Sequence, residues 1–179
     1  MIREKIRCSP CFRRSCRIDD AYACLRVIEP ETVVASFAAA AEEGTFTGTW
    51  IASGKRQSQD FAEGRAVFTY SVKGHVNLKN GLGGVADFWS ECSGLWDAKT
   101  GSTARCAWRG LEGQKVFIVM DGQPLEEGVL VNGEIIGGTE ELAGITGAFT
   151  FTWTSVFINE DTDTLTGHTE NISGTYRLP

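Results

Sequence analysis

Long hydrophobic runs are missing from this chain. Nowhere in its 179 residues does an apolar stretch approach the roughly 18 residues of a membrane-crossing helix, so no membrane span is expected. Histidine is scarce too: the two present, His75 and His168, lie far apart, and there is no Ser/His/Asp spacing, zinc-protease motif or P-loop. These gaps remove the usual signatures of nucleophilic hydrolysis, metal-assisted hydrolysis and nucleotide binding, and no cofactor is expected. Positive charge is also in short supply, with 17 Lys+Arg against 23 Asp+Glu and a net charge of -6. Residues 1–41 hold seven cations against five anions, whereas the remainder holds ten against eighteen, so the body is acidic. Nucleic-acid binding relies on cations that neutralise phosphates and release counterions, and such a body is a poor partner for it.

What is present fits one globular domain of ordinary size: 42% hydrophobic and 22% charged residues, enough to bury a core. The chain divides near residue 44. Ahead of it, residues 1–43 read as a leader outside the domain. Its first part interleaves seven Arg and Lys residues with Cys8, Cys11, Cys16 and Cys24, and sustains neither a helical nor a strand period. Cys8-x-x-Cys11 supplies one ligand pair, but Cys16 and Cys24 form no second pair of the kind structural zinc sites use, so no metal is assigned. Two readings stand for the run Val33 to Ala41. As the apolar part of a secretory signal it ends in the small-residue site Ala39-x-Ala41 before Glu42. As an Ala-rich helix it has Pro30 in its first turn, where the missing N–H costs nothing.

From 44 to 179 the texture is short runs rich in Thr, Val, Phe, Tyr and Trp, broken by Gly and Asn, with no convincing helix. The runs are Thr45–Ala52, Ala66–Leu78, Val85–Trp96, Thr103–Arg109, Lys115–Met120, Val129–Ile136, Ala148–Ile158 and Thr164–Leu178, the last bent near Ser173–Gly174. Phe68, Tyr70, Val72, Val76 and Leu78 share one face of the second run, opposite Thr69, Ser71, Lys73, His75 and Asn77. Phe149, Phe151, Trp153 and Phe157 alternate with Thr150, Thr152 and Thr154 in the seventh. Eight half-buried strands must abolish or cover their edges, which predicts an all-β fold, a small antiparallel β-barrel of about eight strands. Gly81-Leu82-Gly83-Gly84 joins strand to strand and reads as a turn, since no helix follows to offer phosphate-binding amides.

The segment Gly137-Gly138-Thr139-Glu140-Glu141-Leu142-Ala143-Gly144-Ile145-Thr146-Gly147 is similar to the Gly-Gly-Thr-Gly-x-Phe-x-Gly-x-x-Gly connection of the allene oxide cyclase-like (dirigent-like) barrels, many of them uncharacterised bacterial secreted proteins. Glu140 stands where a glycine is usual. The resemblance covers these eleven residues and implies a barrel of about eight strands, often a homo-trimer. Gly44-Thr45-Phe46-Thr47-Gly48-Thr49-Trp50 also faintly resembles the Gly-x-Trp start of the lipocalins, a rival barrel.

Chemistry concentrates between Val85 and Arg109. With Ala98-Lys99-Thr100 as a hairpin tip, Cys92 falls opposite Cys106, and opposed strand residues bring their Cβ atoms to roughly 4.5–5.5 Å, near disulfide range. In an oxidising compartment they bond; in the cytoplasm they pack as two small apolar thiols. The same register sets Trp89 opposite Arg109 and Glu91 diagonal to Arg105 and Arg109, an aromatic, a carboxylate and two guanidiniums able to hold a ligand. The competing reading is a surface salt bridge with a cation–π contact. The expectation is a periplasmic or secreted barrel binding a small apolar or amphipathic molecule. The alternatives are a cytoplasmic chain, and an isomerase or cyclase of the resembled kind, which would hold a buried charge such as Glu91 or Glu134 facing a cavity.

Overall fold

A computed structural model describes residues 41–81 and 84–179. The leader cysteines, and the Val33 to Ala41 run apart from Ala41, lie outside them. Eight strands follow in order: β1 (Glu42–Ala62), β2 (Arg65–Asn80), β3 (Val85–Asp97), β4 (Gly101–Gly110), β5 (Lys115–Pro124), β6 (Val129–Gly138), β7 (Thr146–Asn159) and β8 (Thr164–Leu178). Each pairs antiparallel with its sequence neighbours, and β8 returns to β1 to close the barrel. Closure leaves no open sheet edge around the ring, as the expected all-β architecture requires.

Side chains alternate along the strands, and the apolar set turns inward. On β2, Val72 and Val76 are buried while Ser71, Lys73 and His75 face solvent. The centre is filled by aromatic rings. Trp50 lies 5.7 Å from Phe151 and 4.8 Å from Trp153, and Trp108 lies 5.4 Å from Phe149, ring centre to ring centre. Cys92 and Cys106 belong to this core and form a disulfide across β3 and β4. Buried Ser90 serves the ladder from within: its hydroxyl accepts from Trp50 Nε1 at 2.8 Å and donates to the Gly74 carbonyl at 3.1 Å.

Three expectations are corrected. β1 runs to Ala62 rather than Ala52, because beyond Lys55, its last partner on β8 being Thr164, it continues as a hairpin paired with β2 alone. Its residues there pack against no barrel centre, so the segment carries no apolar alternation. The irregularity in β8 lies at Glu170–Asn171 and not at Ser173–Gly174: Gly48 pairs with Ile172 and Trp50 with Thr169, leaving two residues opposite one. The Asn171 side-chain oxygen accepts from Thr152 N at 3.0 Å, replacing a ladder bond lost to that bulge. Finally, Phe157 is exposed and does not join Phe149 and Phe151 inside. β7 slips register between Ser155 and Phe157, and β6 covers it only as far as Trp153.

The Gly137–Gly147 connection crosses one end of the barrel. It includes a short 3-10 turn at Glu140–Leu142, and it lays Ile145 into the core with Leu142 packed beside it. Glu140 has φ 54°, the left-handed region that favours glycine.

Candidate functional site

The β3–β4 hairpin has the register its sequence implies. Trp89 pairs with Arg109, Glu91 with Ala107, and Cys92 with Cys106. Because Cys92 points inward, its neighbours point out: Trp89, Glu91, Arg105 and Arg109 are all exposed on the convex outer wall. The partner that Glu91 takes is Lys73, directly opposite on β2, with Nζ 3.0 Å from Oε1. That hydrogen bond, then the Lys73 charge, and to a smaller degree Arg109, hold the Glu91 carboxyl below its usual range. Arg105 turns back on its own strand, donating to the Ala104 carbonyl at 2.9 Å and to Thr103 Oγ1 at 3.3 Å. The outer cluster is therefore a solvated ion pair beside an aromatic, a contact of small energetic weight. Lys73 was not legible as a member, since the Gly-rich β2–β3 connection gives no turn from which to count register. Glu134 is likewise exposed on the outside.

Concavity lies elsewhere. At the end of the barrel where β1 begins and β8 finishes, an apolar cavity of about 250 Å³ opens. Phe46, Phe88 and Trp108 wall it, and Leu142 and Ile145 border it from the Gly137–Gly147 connection. Its polar lining side chains are Asn80 and Tyr176, and no described residue lining it carries a charge. Tyr176 faces Gly44 across the β1–β8 seam, and a Cβ at Gly44 would fall 2.6 Å from the tyrosine ring, so the glycine is what lets the ring lie there. Its hydroxyl donates to Glu42 Oε1 at 3.3 Å. Burial first, then the Glu42 charge, push the tyrosine pKa up, and the phenol stays neutral at ordinary pH. Asn80 Oδ1 accepts from Gly84 N at 2.6 Å, which folds the side chain over the start of β3.

The opposite end is polar and tied by ions. Asp97, the sole buried carboxylate among the described residues, takes both Arg65 Nε at 3.0 Å and Arg65 Nη2, and its Oδ1 accepts from Lys99 N at 2.8 Å. Arg56 pairs there with Glu160, and Lys55 donates to the Thr162 carbonyl at 2.6 Å. Among the described residues no His, Cys, Asp and Glu cluster is arranged to hold a metal, and no helix is long and apolar enough to cross a membrane.

Fold and mouth together define an up-and-down antiparallel barrel with a packed centre and one open apolar end. No family model, curated protein or solved structure matches the chain. The likeness of the Gly137–Gly147 connection to the allene oxide cyclase-like barrels thus rests on those eleven residues alone.

Proposed function

We propose that this chain is an exported binding barrel that takes a small apolar or amphipathic molecule into the cavity at its open end. The observation that carries the reading is the cavity itself, concave and lined by aromatic and aliphatic side chains with two polar groups, the composition typical of small-molecule sites. Export is supported by the Cys92–Cys106 disulfide, a bond that persists in oxidising compartments. A cyclase would want a charged group against its substrate, and the charged candidates Glu91 and Glu134 lie on the outer wall.

Ala86 lines the cavity from the start of β3, on the same face of the strand as Phe88, and is itself exposed. Ala86→Trp therefore fills the mouth without disturbing the packed centre. Titration with naphthalene, followed by calorimetry or amide shifts of cavity residues, is expected to show saturable binding to the native chain and at least tenfold weaker binding to Ala86→Trp. Equal binding by both chains, or none by either, would overturn the reading.

A further inference from the structure

Resting on that reading of the open end, we infer that the cavity selects an uncharged amphiphile: an apolar body of about a dozen non-hydrogen atoms carrying one hydroxyl-class donor that meets Tyr176. Size sets the first limit. A cavity of about 250 Å³ falls just under the 300–1,000 Å³ common for drug-sized ligands, so the body is a short alkyl chain or a fused pair of rings.

Charge sets the second. Among the described residues no cation lines the cavity to receive a carboxylate or phosphate, and no anion lines it to receive an ammonium. A charged group drawn inside would lose its water without gaining a partner. Glu42, exposed at the rim, already accepts the Tyr176 hydrogen bond, and its neighbour Glu43 pairs with Arg177 at 3.4 Å. An anionic head would face Glu42 directly. A cationic head would gain only a solvated ion pair, the weakest kind.

Hydrogen-bond direction sets the third. The Tyr176 hydroxyl spends its proton on Glu42, leaving its oxygen lone pairs as acceptors beside the apolar wall. The ring lies over Gly44 in space that a side chain there would take, and the bond to Glu42 sets its hydroxyl at the rim. A ligand that donates a hydrogen bond at the rim while burying its apolar body completes the arrangement. An alcohol or phenol has that donor, and a carboxylate has none.

Octan-1-ol, octanoate and octylammonium share one tail and differ in head, so calorimetric titration of the full chain with each at neutral pH reads the selectivity. Octan-1-ol is expected to bind at least tenfold more tightly than either ion. Tyr176→Phe keeps the ring over Gly44 and is expected to weaken octan-1-ol several-fold while leaving naphthalene within twofold. Octanoate or octylammonium binding as tightly as octan-1-ol would overturn the inference, as would an octan-1-ol affinity indifferent to Tyr176→Phe. If naphthalene binds and the octyl series shows no preference, the inference alone fails. If naphthalene and the whole octyl series fail to bind, the cavity reading fails with it.

Discussion

Trp50 and Trp108 are both buried in the one core, Trp50 against Phe151 and Trp153 and Trp108 against Phe88 and Phe149, yet their indole N–H groups differ. Trp50 Nε1 donates to Ser90, whereas Trp108 Nε1 is buried without a hydrogen-bond partner among the described residues. An orphaned buried donor costs about 1–3 kcal/mol, and a satisfied one contributes about 1 kcal/mol net. Replacing either ring by phenylalanine removes similar volume, so the difference between the variants isolates the N–H. Trp50→Phe is expected to lower unfolding stability by at least about 1 kcal/mol more than Trp108→Phe, read from urea midpoints and slopes. Equal losses would mean that the Trp108 N–H finds a partner in solution. Neither role was legible in the sequence, where strand alternation does not distinguish Trp50 from Trp108. Which indole meets a hydroxyl depends on Ser90 lying next to Trp50 inside the closed ring, a contact forty residues apart. Glu140 shows the opposite case. The glycine-rich pattern around it marks a tight turn, and the residue does adopt a positive φ despite its side chain.

Individual strands were legible wherever both faces of the alternation are used. All eight runs were identifiable because inward Val, Phe, Trp and Ile alternate with outward Thr, Ser and charged residues against a filled centre. Ends that overrun the ring, such as the second half of β1 and the end of β7, were misread because nothing there distinguishes an inner from an outer face. The β3–β4 register followed from a hairpin tip of only three residues, and with it came the Cys92–Cys106 pairing. That bond joins residues 14 apart, and closing a loop near this size restrains the unfolded chain by about 3 kcal/mol in the loop-entropy picture. Full reduction, verified by mass, is expected to lower stability by about 2–3 kcal/mol, as is the Cys92→Ala/Cys106→Ala double variant. A urea midpoint that reductant leaves in place would show that hairpin and ring closure already hold the two strands together.

Across the whole molecule the two ends of the barrel are held by different chemistry. The open end is apolar and is bordered by Leu142, Ile145 and Tyr176, while the far end is clasped by Arg65–Asp97 and Arg56–Glu160. Asp97 carries the clasp between β2 and β3. Hydrogen bonding from Arg65, then from the Lys99 amide, holds its carboxyl well below the usual carboxylate range. A carboxyl whose folded pKa lies below its unfolded value favours the folded state whenever the pH is above the unfolded value, about 3.9 for aspartate. That contribution fades as pH falls from about 4 toward the lower folded value, because the unfolded chain then takes up the proton more readily than the folded one. Asp97→Asn removes the titration and keeps the side-chain size. It is expected to be less stable than the native chain at pH 7, with the gap narrowing as pH is lowered from 5 to 2, in urea unfolding followed at each pH. The described side chains lining the cavity carry no charge, so this acid response belongs to the clasped end, and naphthalene affinity should stay level over the part of that range in which the barrel remains folded. A gap that holds constant down to pH 2 would place the acid sensitivity in other carboxylates and leave the Arg65–Asp97 pair a minor contributor.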